Sequence, residues 1–484
     1  MKRTVIELPK KLKLVLIGNG MAGYKFCEKF IKYKLYKKYD MVVFGEEHYP
    51  AYDRVNLTSY FIKQSAEDLL MAPASWYAEN KIVLRKGETV VEISKSEKWI
   101  RTGNGAIEKY DKLILATGSL PFVPNVSGTK LKGVFVYRTI DDLDKIKSFI
   151  PSSKKAIVIG GGILGLEAAR ALLQEGLKIS VIEIAHQIMP RQLDLPASKL
   201  LLSSLHNLGL TILFQKEIVG FEGDQHVKTV RFSDGSHEEA DLVIISAGIV
   251  ARDELAKDAG LKIGDKGGIV VNDHTLTSDP NIYAIGECAL MHNRIWGLAA
   301  PSFEMAEVLA ARLSGIFKVF CGDVVFSKLK VIETDVVSFG DSLAPIESAD
   351  AFVQLDEVAG VYRRINISTD GKRLLGGILI GNVSGYASFL QIMRNKGWIN
   401  VPPKELIENL SAASGPKIMD LPDSTKICMC EDVSKGEILE CIRTHDIKKL
   451  EGVKKMTRAG TGCESCVCVV EELLHEYLNE GANS

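Results

Sequence analysis

The chain has almost no net charge: 60 lysines and arginines stand against 61 aspartates and glutamates, a formal charge of -1 over 484 residues. Such a balance supplies no bulk field for nucleic acid or an anionic lipid surface, so both classes of partner are set aside. No stretch approaches the roughly 20 apolar residues that span a bilayer. A Ser-His-acid arrangement and an HExxH motif are also missing. The nine histidines are scattered, which fits surface or satisfied core positions better than catalysis. The N-terminus starts basic, but its apolar run is short and leads into a glycine pattern instead of a small-residue cleavage site. These absences read as a cytoplasmic protein with ordinary globular composition, 46% hydrophobic and 25% charged. The length implies about three to four domains.

What is present begins with glycine. The apolar strand pattern Lys13 to Ile17 runs into Gly18-Asn-Gly20-Met21-Ala22-Gly23 and then a helical pattern, Tyr24 to Lys34. This strand, turn and helix context is the one that a dinucleotide fingerprint requires. Gly18 permits the tight turn, Gly20 lets the backbone approach a pyrophosphate, Gly23 allows close helix packing, and the helix N-terminus supplies unpaired N-H groups. A second strand, Met41 to Phe44, ends in Gly45-Glu46-Glu47. That places a carboxylate near the distance expected for a ribose hydroxyl, Glu46 first and Glu47 second, although an acidic surface turn has the same composition.

The logic repeats. Ala156 to Ile159 leads into Gly160-Gly-Gly162-Ile163-Leu164-Gly165, a helix through Leu173, and a strand Ile179 to Ile182 closed by Glu183. Two units imply two dinucleotides. Glu183 would accept from a ribose 2'-hydroxyl and repel a 2'-phosphate, which favours NADH over NADPH, while His186 and Arg191 nearby pull the other way. Glu167, one turn past the glycines, is either a solvated helix residue or a group facing the nicotinamide.

Six of the nine cysteines fall from Cys428 onward, which suits a reducing compartment with a metal site better than a disulfide framework. Cys428, Cys430, Cys463 and Cys466 form two close pairs. Four thiolates can hold zinc or a 2Fe-2S cluster, since both take tetrahedral sulfur. CxC followed by CxxC, with Gly460 and Gly462 able to turn N-H groups toward sulfur, favours iron-sulfur over structural zinc. Cys468 and Cys441 read as apolar packing residues of their helices, and so does Cys27.

Two further segments, Leu113-Ile-Leu-Ala116-Thr117-Gly118-Ser119 and Ile282-Tyr-Ala-Ile-Gly286-Glu287-Cys288, resemble the flavin-binding motifs of FAD-dependent pyridine nucleotide-disulfide oxidoreductases. The order along the chain matches that family. Tyr49 to Leu57 looks like the loop its reductases lay along FAD, where Arg54 would pair with phosphate or the flavin edge. At Glu287 the family usually has Asp on a ribityl hydroxyl, and nitrite reductase large subunits share the Glu. The nearest resemblance is to the N-terminal half of NADH-dependent nitrite reductase large subunits, through Val15 to Gly23, Val43 to Glu47, Arg191-Gln-Leu-Asp194 and Pro301 to Ala306. Ile427 to Leu474 resembles the bacterioferritin-associated ferredoxin type of 2Fe-2S module. The CxxxxC pair of the disulfide reductases and the single loop cysteine of the flavin peroxidases and oxidases are missing, so no thiol relay is expected.

The resemblance implies an α/β architecture of two Rossmann-like domains, FAD and NAD, with an α+β interface domain and a small helical 2Fe-2S module. Expected spans are 1-125 with 243-325 for FAD, 126-242 for NAD(P)H, and 326-405 for the interface domain. A linker at 406-424 and the cluster module at 425-484 complete the chain. In the interface domain, strand-like runs are expected at Lys330 to Phe339, Val361 to Ile367 and Leu374 to Ile380, with a helix from Ala387 to Asn395. The strand Asp241 to Ser246 would mark the return to the FAD domain. The linker leaves the module free to swing or able to dock. The sequence ends after this module, without the sirohaem domains of the large subunit, so a standalone unit is expected. It would take hydride from NADH to FAD and pass single electrons through the cluster to a protein acceptor: sirohaem nitrite reductase, nitrate reductase, or rubredoxin or ferredoxin. No acid-base residue is required for that chemistry. Rubredoxin or ferredoxin reductase and NADH oxidase are the alternatives, a redox-responsive interaction protein is the non-enzymatic one, and homo-oligomerisation is left open.

Overall fold

The computed structural model describes residues 11-63, 65-322, 326-329, 334-383, 386-394, 397-399, 402-408, 418-428, 431, 433-461 and 466-482. Its contacts divide the chain into two units, one of residues 1-57, 63-120 and 249-322, the other of residues 58-62, 121-248 and 323-484.

In the first unit, five described strands form a parallel sheet in the order Ile282–Ala284, Lys112–Leu115, Leu12–Ile17, Tyr39–Gly45, Ile82–Lys86. Leu14, Val15 and Leu16 are fully buried. A strand covered on both faces needs that unbroken apolar run, because a helix lies on either side of a parallel sheet. The helices Met21–Lys32 and Ala299–Ser314 pack against each other. Cys27 is buried in this core, and burial pushes its thiol upward in pKa, consistent with a packing role.

The second unit holds a similar sheet, in the order Thr211–Phe214, Lys178–Glu183, Lys155–Ile159, Leu242–Ile245, Val134–Val136, again all parallel. This corrects the expected return at residue 243. Leu242–Ile245 pairs with Lys155–Ile159 inside the second nucleotide sheet, and the chain rejoins the first unit at Ile249. An apolar run carries no mark of the sheet it joins, so pairing partners decided this boundary.

From Phe326 the chain forms an antiparallel sheet, with described strands ordered Phe326–Leu329, Val336–Gly340, Leu374–Ile380, Val361–Ser368, Ala349–Asp356. Of the strand expected over Lys330 to Phe339, the described part is Val336–Gly340, which pairs with a preceding strand, Phe326–Leu329, with Phe326 opposite Phe339, while residues 330–333 lie outside the described residues. Helices Tyr386–Arg394 and Pro403–Glu408 complete the layer. Leu406 and Ile407, expected in a linker, are buried in this core with Phe389 and Leu390. The linker is shortened at its other end as well. Ile418–Asp420 forms a 3-10 turn, and buried Lys435 donates from Nζ to the carbonyls of Met419 at 2.5 Å and Leu421 at 2.7 Å. The helix Val467–Ala482 lies against both this turn and Tyr386–Arg394.

Candidate functional site

Both glycine fingerprints fold the same way. Gly18 and Gly160 adopt φ of +110° and +109°, a left-handed region open to glycine at little cost. Gly18 N donates to Phe44 O and Gly160 N to Ile182 O, each at 2.8 Å, which ties each loop to the neighbouring strand. A Cβ on Gly18 would stand 2.0 Å from Ala116 O, and one on Gly23 would stand 2.1 Å from Gly18 O. In the second loop a Cβ on Gly160 would meet Ser246 O at 2.3 Å and one on Gly165 would meet Gly160 O at 2.0 Å. These four glycines permit the fold itself. Gly20 and Gly162 differ: a Cβ there would meet no protein atom within 4 Å. Each cradle is thus open where a pyrophosphate would lie, at the head of a 12-residue helix whose N-cap glycine offers no side-chain cap. Met21 and Ala22, and Ile163 and Leu164, form the first turns of those helices. The Asn19 Nδ2 beside Gly20 is buried without a partner, while its Oδ1 accepts from Tyr77 at 2.9 Å. The open position at Gly20, at the head of a helix, fits the phosphate side of FAD.

At the carboxyl ends of the first sheet, carboxylates and arginines alternate. Glu47 accepts from Tyr52 at 2.6 Å and pairs with Arg54. Glu46, the preferred ribose partner, pairs instead with Arg252. Burial would lower the Arg54 guanidinium, but Tyr52, Glu47 and Glu287 outweigh it and hold the group above its ordinary value. Arg54 also lies 4.7 Å from the Tyr52 ring centroid, a cation-π contact. Ala116 N donates to Ile17 O at 2.7 Å, and Thr117 Oγ1 donates to Arg252 O at 2.6 Å. Gly118 has φ +72° with open space at its Cβ position. Gly286, at φ +79°, brings a 3-10 turn within close reach of Ala22, and its neighbour Glu287 accepts from Ser119 at 2.6 Å. Sequence motifs did not single out Arg252, since it occupies no motif position and is placed by long-range contacts.

In the second unit Glu183 is buried and accepts from Gly161 N through Oε2 and from Ala185 N through Oε1, both at 2.8 Å. Backbone donors thus fix the carboxylate at the loop an adenosine ribose would reach, and with the open position at Gly162 they fit a dinucleotide. Glu167 is half-buried and accepts from Thr58 at 3.5 Å, and Thr58 Oγ1 accepts from the Tyr137 hydroxyl at 3.1 Å. It is therefore part of a polar cluster and not simply a solvated helix residue.

Cys428 closes the strand Lys426–Cys428, and Cys466 opens the helix Val467–Ala482, its carbonyl accepting from Val470 N at 2.8 Å. Both cysteines are buried, and thiolates are donors suited to iron or zinc. Cys430 and Cys463 lie outside the described residues, and so does Gly462. Among the described residues no group of three or more His, Cys, Asp or Glu side chains is gathered around a metal position. No described helix is long and apolar enough to cross a membrane.

Two doubly wound sheets, each with a fingerprint glycine loop at its switch point, define a dinucleotide-dependent oxidoreductase fold. The chain belongs to the pyridine nucleotide-disulphide oxidoreductase family, which it matches over residues 12–311. Residues 326–397 match the rubredoxin NAD+ reductase C-terminal domain, and residues 426–476 match the BFD-like [2Fe-2S] binding domain. It is 41% identical over 476 residues to the nitrite reductase (NADH) large subunit of Escherichia coli (strain K12), covering 97% of this chain and 56% of that protein. It is 37% identical to the assimilatory nitrate reductase electron transfer subunit of Bacillus subtilis (strain 168), covering 97% and 60%. The chain thus spans little more than half the length of these relatives. Among solved structures, the covalent putidaredoxin reductase-putidaredoxin complex aligns with a TM-score of 0.74 at 25% identity, over 84% of this chain and 99% of that one. As an NAD(P)H oxidoreductase of this family the chain is a flavoprotein using FAD, and its C-terminal module is of the 2Fe-2S kind.

Proposed function

We propose that this chain carries electrons from NADH by way of FAD and the 2Fe-2S cluster to a protein acceptor, as the electron-transfer component of a nitrite or nitrate reductase system. The observation that supports it most is the pairing, on one chain, of two open glycine cradles with buried cysteines of a BFD-like module. Bound FAD accepts two electrons as hydride and yields them singly, and an iron-sulfur cluster carries one at a time. The residues do the positioning. Gly18, Gly20, Gly23 and the helix head at Met21 would hold the FAD pyrophosphate, Glu46 or Glu47 its ribose, and Arg54, Thr117, Gly118 and Glu287 the flavin side. Gly160, Gly162, Gly165 and Glu183 would hold NADH, with Glu183 favouring it over NADPH. Cys428, Cys430, Cys463 and Cys466 would hold the cluster. Hydride transfer needs alignment more than proton transfer, which agrees with a site rich in positioning contacts.

The acceptor proposed, a sirohaem-type nitrite reductase or a nitrate reductase, follows the names of the relatives. A ferredoxin- or rubredoxin-type acceptor is the second reading, favoured by the match of residues 326–397 to the rubredoxin NAD+ reductase C-terminal domain. An anaerobic NADH titration, followed by flavin bleaching with iron and sulfide analysis, tests the proposal. Stoichiometric FAD, about two irons per chain and a rhombic signal in low-temperature electron paramagnetic resonance after reduction are expected. Cys466→Ser should abolish the cluster absorption and leave FAD reduction by NADH intact. Zinc in place of iron, with flavin reoxidised directly by oxygen, would sink the proposal in favour of an oxidase with a structural tail.

A further inference from the structure

The strand order Lys112–Leu115, Leu12–Ile17, Tyr39–Gly45 sets the first glycine loop between two neighbouring strand ends. Adjacent strands stand about 4.8 Å apart, so those flanking ends are separated by about 10 Å. Arg252 is tied to both. Its backbone N donates to Gly118 O at 3.0 Å and its carbonyl accepts from Thr117 Oγ1 at 2.6 Å, which pins its main chain at the end of Lys112–Leu115. Its side chain pairs with Glu46, just past the end of Tyr39–Gly45. The guanidinium arm therefore crosses above the end of Leu12–Ile17, over the loop that holds Gly18 and Gly20. In the two loops this arm joins, the Cβ positions of Gly20 and Gly118 are open. Glu46 holds the Arg252 charge in place, and it outweighs the burial that would lower the guanidinium.

Glu46 accepts and Arg252 donates. A ribose offers hydroxyl donors and a pyrophosphate offers charged acceptors, so the couple is complementary to the adenosine diphosphate half of a dinucleotide. We infer that Arg252 is a cofactor-binding residue, contacting the FAD pyrophosphate while Glu46 takes the adjacent ribose. This rests on the first glycine loop being the FAD site. Arg252 would then be a second cation beside Arg54, which Glu47 and the Tyr52 ring hold at the other side of the same strand end.

The test uses the holoprotein. FAD release is followed by the rise in flavin fluorescence on dilution, across a range of salt, with ADP as competitor for the adenylate half. Wild type is compared with Arg252→Gln, Arg252→Lys and Glu46→Gln. Loss of one charge-assisted contact should weaken FAD about tenfold or more in Arg252→Gln. The salt dependence of release should flatten and the inhibition constant of ADP, extracted from its competition with FAD, should rise by a similar factor, while far-ultraviolet circular dichroism stays that of the wild type. Arg252→Lys should recover part of the affinity and the salt slope. FAD affinity, salt slope and the inhibition constant of ADP all unchanged in Arg252→Gln would overturn the inference, and so would weakened FAD binding with an unaltered inhibition constant for ADP. Should Arg252→Gln not fold, Arg252→Met takes its place, and wild-type FAD affinity and salt slope in that variant overturn the inference equally. Wild-type protein purified without flavin would instead refute the reading beneath it, before any variant is made.

Discussion

Ser119 Oγ donates to Glu287 Oε2 at 2.6 Å, joining two segments 168 positions apart in sequence. Each follows a neighbouring parallel strand, Lys112–Leu115 and Ile282–Ala284, so the bond closes the rim of the first sheet where the flavin side is proposed to bind. Ser119→Ala removes the donor from a half-buried carboxylate, and a stability loss of about 1 to 2 kcal/mol is expected. Glu287→Ser would also remove a carboxylate whose charge helps hold the Arg54 guanidinium above its ordinary value. Urea unfolding of each variant checks both, and a Ser119→Ala midpoint equal to wild type would contradict the geometry.

The two kinds of glycine in the first loop predict opposite outcomes. Gly18→Ala forces a methyl 2.0 Å from a backbone oxygen at φ +110°, so the protein should lose folding stability outright, by several kcal/mol. Gly20→Ala meets no protein atom, so its melting in the absence of flavin should match wild type while its FAD content falls. Recovering Gly20→Ala with full FAD would show that the pyrophosphate lies elsewhere.

Asp194 is a hub. Its Oδ1 accepts from Ala197 N at 3.2 Å and caps the helix Leu195–Asn207, while its Oδ2 accepts from Tyr362 at 2.5 Å and from Arg364 at 2.8 Å. Asp194→Ala removes a cap worth about 1 kcal/mol and leaves Arg364 without this partner, for a total of about 2 to 4 kcal/mol. Burial, then Asp194, hold the Tyr362 hydroxyl well above the ordinary tyrosine range. Ultraviolet titration of Asp194→Ala should therefore show a tyrosine that ionises at lower pH than in wild type.

Glu307 gives a pH dependence. Burial raises this carboxyl, but Lys29 at 2.5 Å, the Tyr33 hydroxyl and Lys318 at 3.5 Å outweigh it, and the group lies below its usual value near 4.5. A depressed carboxylate contributes stability above its unfolded pKa and loses it as pH falls through the folded one. Denaturation midpoints measured from pH 7 to pH 3 should thus fall below about pH 4.5, and Glu307→Gln should fall less steeply over that window. Parallel profiles for the two proteins would show that Glu307 carries none of the acid sensitivity.

The sequence alone determined the two glycine loops, the acidic ends of their second strands and the cysteine pairs. Each is a local pattern in which a turn, a close approach or a metal demands particular residue types at fixed spacing. Tertiary structure decided what depends on pairing between distant segments. Leu242–Ile245 joined the second sheet because its apolar run found Lys155–Ile159 as a partner, and Leu406 and Ile407 joined a core because the antiparallel sheet offered them an apolar face. Glu46 met Arg252, and Glu167 met Thr58, across separations of 206 and 109 residues. Such partners leave no periodicity or spacing in the chain, since the free energy that selects them comes from burial and charge pairing after the strands are in place.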